Sequence, residues 1–144
     1  FVLIKNQDFF FISLISMTCF WTSIINTLDA DDLTKLGLTD KPNVNQLIET
    51  LKNVNKKDIS VHWNDTPLTD KQKEENFNHI KDYDTKSSRG GYLCGTCDPF
   101  LILICEILEI DIRHTFLNNT IHYKGGGEKT YKFGNNRGHF YNIK

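Results

Sequence analysis

The stretch "CDPFLILICEILEI", residues 97 to 110, constrains this chain more than any other. Asp98 is a good N-cap and Pro99 suits the first helical position, so a helix opens here. Almost every residue after Pro99 is apolar, and a helix that is apolar all round cannot lie with one face in water. It has to run through the core, and the rest of the 144-residue chain has to cover it. That length suits one domain built around one core.

Beyond this helix the hydrophobic period shortens. "IDIRHTF", "TIHYK", "KTYKF" and "GHFYNIK" read as four short strands separated by "LNN", "GGGE" and "GNNR". They predict an antiparallel meander, with Gly125 to Gly127 as a hairpin turn.

The chain ahead of the helix is mostly helical. "FVLI" and "FFFISLI" predict an opening hairpin. "SMTCFWTSIINTL" then predicts a short buried helix, capped by Ser16 or Thr18 and holding Phe20, Ile24, Ile25 and Leu28. "DADDLTKLGL" predicts an acid-capped helix ending near Gly37. Pro42 precedes a helix with Val44, Leu47, Ile48 and Leu51 at helical spacing. "DISVHW" is a strand candidate, and "LTDKQKEENFNHIKDY" a polar helix with Leu68, Phe77 and Ile80 along one side.

The expected organisation is a single α+β domain over 1–144. Residues 1–88 form a mostly helical part, and 89–144 supply the core helix and an antiparallel sheet. "DTKSSRGGY" is the loop between them.

Seventeen basic and 18 acidic residues leave a formal charge of -1, with Lys and Arg scattered along the chain. No basic footprint for nucleic acid is present in the composition, so none is expected as partner. Four cysteines at uneven spacing do not make a disulfide scaffold, which favours a reducing, cytoplasmic setting. A chain that opens on Phe1 and whose only methionine is Met17 reads as a fragment of a longer precursor or polyprotein. Phe9 to Leu28 lacks charge over about the length of a membrane span, and Lys5 before "FFFISLISM" imitates a secretory signal. Ser13, Ser16, Thr18, Thr22, Ser23, Asn26 and Thr27 interrupt it, so no membrane association is expected.

Two residues form the first chemical candidate. Cys19 falls in the first turn of a helix, where free N–H groups and the positive end of the helix dipole favour a thiolate and can bind an oxyanion. Its base must come from elsewhere in the fold. His139 fits best, at the start of the last strand and directly after Gly138. His62 is isolated, His79 is on the polar helix, and His114 and His122 lie on facing strands, where cross-strand pairing accounts for them. The bland alternative for Cys19, beside Phe20 and Trp21, is core filler.

"TCFWTSIINTL" resembles the nucleophile helix of papain-like and ovarian-tumour-type cysteine proteases, and "GNNRGHFYNIK" resembles their histidine strand. The likeness extends over the whole helices-then-sheet layout and is specific over these two stretches. It is similar in flavour to compact viral enzymes, such as the papain-like proteases of toroviruses and arteriviruses and viral deubiquitinases. It implies a thiol peptidase, acting as a monomer without cofactor, in the host cytoplasm if viral. The implied substrates are a viral polyprotein, or ubiquitin and ubiquitin-like proteins cleaved after a Gly-Gly tail. Trp21, Trp63, Phe140 and Tyr141 could wall a groove narrow enough for glycine, or serve as ordinary core.

The implied catalytic set is Cys19, His139 and Asn142. The match to the family pattern is imperfect. Ser16 stands where ovarian-tumour-type enzymes carry an acid, and Asn6 or Gln7 would have to serve where papain relatives use an upstream amide. Asn142 is three residues beyond the histidine where relatives place an amide or acid two beyond, so a bulge would be needed. Asn135, Asn136 or Asp111 could replace it, or a plain Cys-His dyad could suffice.

"CGTC", Cys94 to Cys97, is open to three readings: half a zinc site lacking an evident second pair, a redox pair before a helix, or two reduced cysteines in a turn. The competing functions are therefore a non-catalytic binding domain of a polyprotein and a CGTC thiol oxidoreductase.

Overall fold

The computed structural model of the protein describes residues 20–84, 98–116, 118–136 and 139–143. The opening hairpin, Cys19, and the loop with Cys94 and Cys97 lie outside them.

Five helices occur among the described residues: α1 (20–27), α2 (Ala30–Lys35), α3 (Val44–Asn53), α4 (Asp70–Lys81) and α5 (Pro99–Leu108). Local chemistry starts and stops them. Asp29, Asn43 and Thr69 each cap a helix in a reciprocal box, with Asp32, Gln46 and Gln72 reaching back to the cap N–H. α2 ends at Gly37, whose φ of 76° a side chain would resist, while Leu38 N–H closes back on Leu33. Asp98 Oδ1 accepts from Phe100 N–H at 2.9 Å and Leu101 N–H at 3.1 Å, and Pro99 leads from it into α5. Leu68 and Ile80 are buried as their spacing predicts; Phe77 is half-buried.

α5 is the centre of the molecule. Phe100 through Cys105 and Leu108 are all buried, packed between the sheet on one side and α2, α3 and α4 on the others. One core cluster runs from Phe20 to Phe140.

The six strands among the described residues are β1 (His62–Trp63), β2 (Thr66–Pro67), β3 (Asp111–Phe116), β4 (Asn119–Lys124), β5 (Thr130–Asn136) and β6 (His139–Asn142), in spatial order β2-β1-β4-β3-β5-β6. The sheet is mixed, which corrects the antiparallel meander: β3 pairs antiparallel with β4 but parallel with β5. β1 and β2, from the helical half of the sequence, extend the same sheet through β4.

The reason is the segment after β4. Asp111 pairs with both Lys124 and Thr130, so the chain leaves β4 beside the start of β3 and must cross to its other side. Gly125 to Gly127 make that crossing against the end of α5. A Cβ on Gly125 would lie 2.2 Å from the Ile110 carbonyl oxygen, and one on Gly127 1.7 Å from that of Glu109. Asp111 Oδ1 accepts from the Gly125 and Gly126 N–H groups and fixes the path. The triple glycine is a crossing, not a hairpin turn.

Candidate functional site

The helix directly after Cys19 is fastened to the strand that His139 begins. Phe20, the next residue after Cys19, packs on Phe140, the next residue after His139, with ring centroids 4.8 Å apart. Ser23 Oγ donates to the Phe140 carbonyl at 2.7 Å. One turn further on, Thr27 Oγ1 donates to the Ser23 carbonyl and accepts from Asn142 Nδ2 at 2.8 Å. Two hydroxyls and one amide thus stitch α1 along β6, from residues 117 and 115 positions apart in sequence.

Beneath the stitch lies an aromatic floor. Phe140 stacks on Phe133 and meets His114; Phe20 meets Trp21 edge-on, and Trp21 meets Phe100. Trp21 and Phe140, possible groove walls, are core residues; Trp63 is half-buried and Tyr141 is exposed.

Pairing along β6 is continuous, from Asn136 opposite His139 to Phe133 opposite Asn142, with no bulge. Asn142 therefore shares the face of Phe140, and its amide is spent on Thr27. Of the alternatives, Asp111 lies at the other end of β3 from Phe116, which is beside Asn135, and its carboxylate is held by the glycine crossing. Asn135 and Asn136 lie opposite Phe140 and His139 on β5. Asn6, Gln7, Ser16 and Thr18 are outside the described residues.

The other histidines separate by face. His114 and His122 lie on facing strands, as expected, each with its own cross-strand partner: His114 opposes Ile121 and is buried, while His122 opposes Arg113 on the outer face. Burial holds His114 below the ordinary histidine pKa of 6.5, against the pull of the nearby Asp98 carboxylate. His79 packs against Tyr83 and Phe100. Cys105 is fully buried, and burial pushes its thiol well up, so it is core filler and no nucleophile. Among the described residues, no three His, Cys, Asp or Glu side chains converge as a metal site, and no helix is long and apolar enough to cross a membrane.

Three features escape a reading of the sequence. Ser23 and Thr27 look like polar interruptions in an apolar helix and are its fastening to β6. Asp32, fully buried on α2, accepts from Lys129 Nζ at 2.9 Å and from the Tyr131 hydroxyl. Strand alternation, carried through β3, β4 and β5, puts Arg113, His122 and Lys132 in one row on the outer face.

Together these elements define an α+β protein with a mixed six-stranded sheet and helices on one face. No family model, curated protein or solved structure matches the chain.

Proposed function

We propose that the chain is a cysteine peptidase of papain-like, ovarian-tumour-like type. In this reading the Cys19 thiolate attacks the scissile carbonyl carbon, and backbone N–H groups at the start of α1 stabilise the oxyanion. His139 takes the thiol proton and gives it to the leaving amine as the C–N bond breaks. Water, deprotonated by His139, then hydrolyses the acyl thioester and restores the thiol. The substrate class is a peptide or isopeptide bond after a Gly-Gly tail, in a polyprotein or a ubiquitin conjugate.

The observation that carries this reading is the contact of Phe20 with Phe140, reinforced by Ser23 on the Phe140 carbonyl. The chain neighbours of the nucleophile and of the base touch. A cysteine that merely fills the core needs no such relation to a histidine strand from the far end of the sequence. Asn142, bound to Thr27, serves as a positioning residue that holds β6 against α1, and the chemistry rests on the Cys19–His139 dyad.

The test is hydrolysis of a fluorogenic ubiquitin C-terminal amide by the parent, Cys19→Ala, His139→Ala and Asn142→Ala proteins. Turnover is expected to vanish in the first two with unchanged circular dichroism. Asn142→Ala should keep measurable turnover and lose stability by about 1 kcal/mol, the worth of one hydrogen bond. Iodoacetamide gives an independent check: Cys19 should be alkylated fast and Cys105 not at all. A parent that neither turns over nor alkylates at Cys19 has a packed cysteine, and the binding-domain reading replaces this one.

A further inference from the structure

The sheet has two unlike faces. α5 covers one; no described element covers the other. Register fixes what stands on the open face. Lys132, Arg113 and His122 are consecutive partners on β5, β3 and β4, forming a row with strands about 4.8 Å apart. Lys132 and Arg113 are exposed and directly opposed. Like charges so placed repel, and a row of this kind is at its most stable with a counter-charge over it.

Among the described residues, no acid pairs with Arg113 or Lys132, and the nearest ones are engaged elsewhere. Asp111, one row away, accepts from the glycine crossing. Asp65, on the β1–β2 turn, is already paired with Lys124, which holds its carboxyl below the usual range. The chain carries a formal charge of -1, so this face is basic against the trend of the molecule.

Its far edge is apolar. Tyr141 and Ile143 are the exposed large hydrophobics among the described residues, at 42% and 38%, and both stand on this face. Ile143 N–H donates to the Lys132 carbonyl, so the apolar pair adjoins the basic row directly. The Tyr141 ring covers Gly134, where any side chain would displace it.

We propose that the open face of the sheet docks a protein segment that carries carboxylates beside apolar side chains. The apolar groups would lie on Tyr141 and Ile143, and the carboxylates over Lys132 and Arg113. Carboxylates on a peptide fit better than a polynucleotide, because the cations form one short row ending in an aliphatic edge, where a phosphate chain needs a basic track. Docking is independent of whether the chain hydrolyses anything.

The experiment is fluorescence anisotropy of a short labelled peptide that alternates Leu and Glu, with the protein in excess. Binding is expected, weakening as salt is raised. It should fall roughly tenfold or more in Arg113→Glu/Lys132→Glu, and likewise in Tyr141→Ser/Ile143→Ser, as for loss of charged or apolar anchors in an interface. Circular dichroism of each variant checks the fold, and Lys57→Glu, in the helical layer over Phe77 of α4, should bind as the parent does. Equal binding of a Leu-Gln peptide would overturn the proposal. So would tighter binding of an oligothymidylate, or self-association of the protein abolished by the same two double variants.

Discussion

At the glycine crossing, single atoms decide which residue fits. The Gly127 Cβ position is filled by the Glu109 carbonyl oxygen at 1.7 Å, and that oxygen belongs to the end of α5, which cannot retreat without moving the core helix. Gly127→Ala is therefore expected to cost at least about 3 kcal/mol, the upper end for overpacking. Gly126 is a different case: nothing lies within 4 Å of its Cβ position, but its φ of +88° is strained for any side chain. Gly126→Ala should cost only about 1 kcal/mol, the left-handed penalty. Urea denaturation of both variants measures this order. Equal costs would mean that the loop slides away from α5 and that contact does not enforce the crossing.

Among elements, α5 illustrates what a sequence makes legible. Its cap, its first proline and its apolar content are local, and so are the acid start and glycine end of α2. The helices can therefore be read in place. Asp98→Ala is expected to cost about 2 kcal/mol, because the two N–H groups that it receives are buried with it. Asp98→Asn should restore most of that, since an amide oxygen accepts equally well; thermal or urea unfolding of the pair decides. Strand pairing is not local in this sense. "KTYKF" alternates in the same way whether its neighbour runs parallel or antiparallel, so a meander is the simpler reading of the sequence. It is ruled out by the parallel pairing of β5 with β3, reached over a glycine crossing too close to α5 for side chains, and both are seen only in the folded molecule. The candidate site divides similarly. Residue types and order suggest Cys19 and His139, but the Phe20–Phe140 contact and the Ser23 and Thr27 fastenings depend on side chains more than a hundred positions apart. Asn142 shows the limit: its spacing from His139 leaves its role open, and its partner is a threonine on α1.

For the whole molecule, buried titratable groups set a window of pH in which the fold is most stable. On the acid side, among the described residues, the buried group is His114, set on β3 against Phe140 and held below 6.5 by desolvation. A depressed pKa means that the native state binds the proton less well than the unfolded chain. Its contribution is present above about pH 6.5 and is lost as pH falls below it. Asp29, held down chiefly by its hydrogen bond to Lys129, adds a further loss only below the usual carboxylate value of 3.8. On the alkaline side the shifts run the other way. Burial raises Tyr83 to about 12, and burial together with the hydrogen bond to Asp32 raises Tyr131 to about 12. Burial alone would lower Lys129, but its bonds to Asp29 and Asp32 outweigh that and hold it above the ordinary lysine range. Cys105 is raised as well, from 9.0. Each of these protons is bound more tightly by the native state, so their stabilisation is present below the unfolded values and is lost as pH rises from about 9 towards 12. Urea midpoints measured across pH should therefore form a plateau between about pH 6.5 and 9 with a fall on either side. His114→Phe should flatten the acid limb below about pH 6.5, and Tyr131→Phe should soften the alkaline one. An acid limb unchanged in His114→Phe would place the sensitivity elsewhere and show that the β3 histidine takes its proton without disturbing the packing of Phe140.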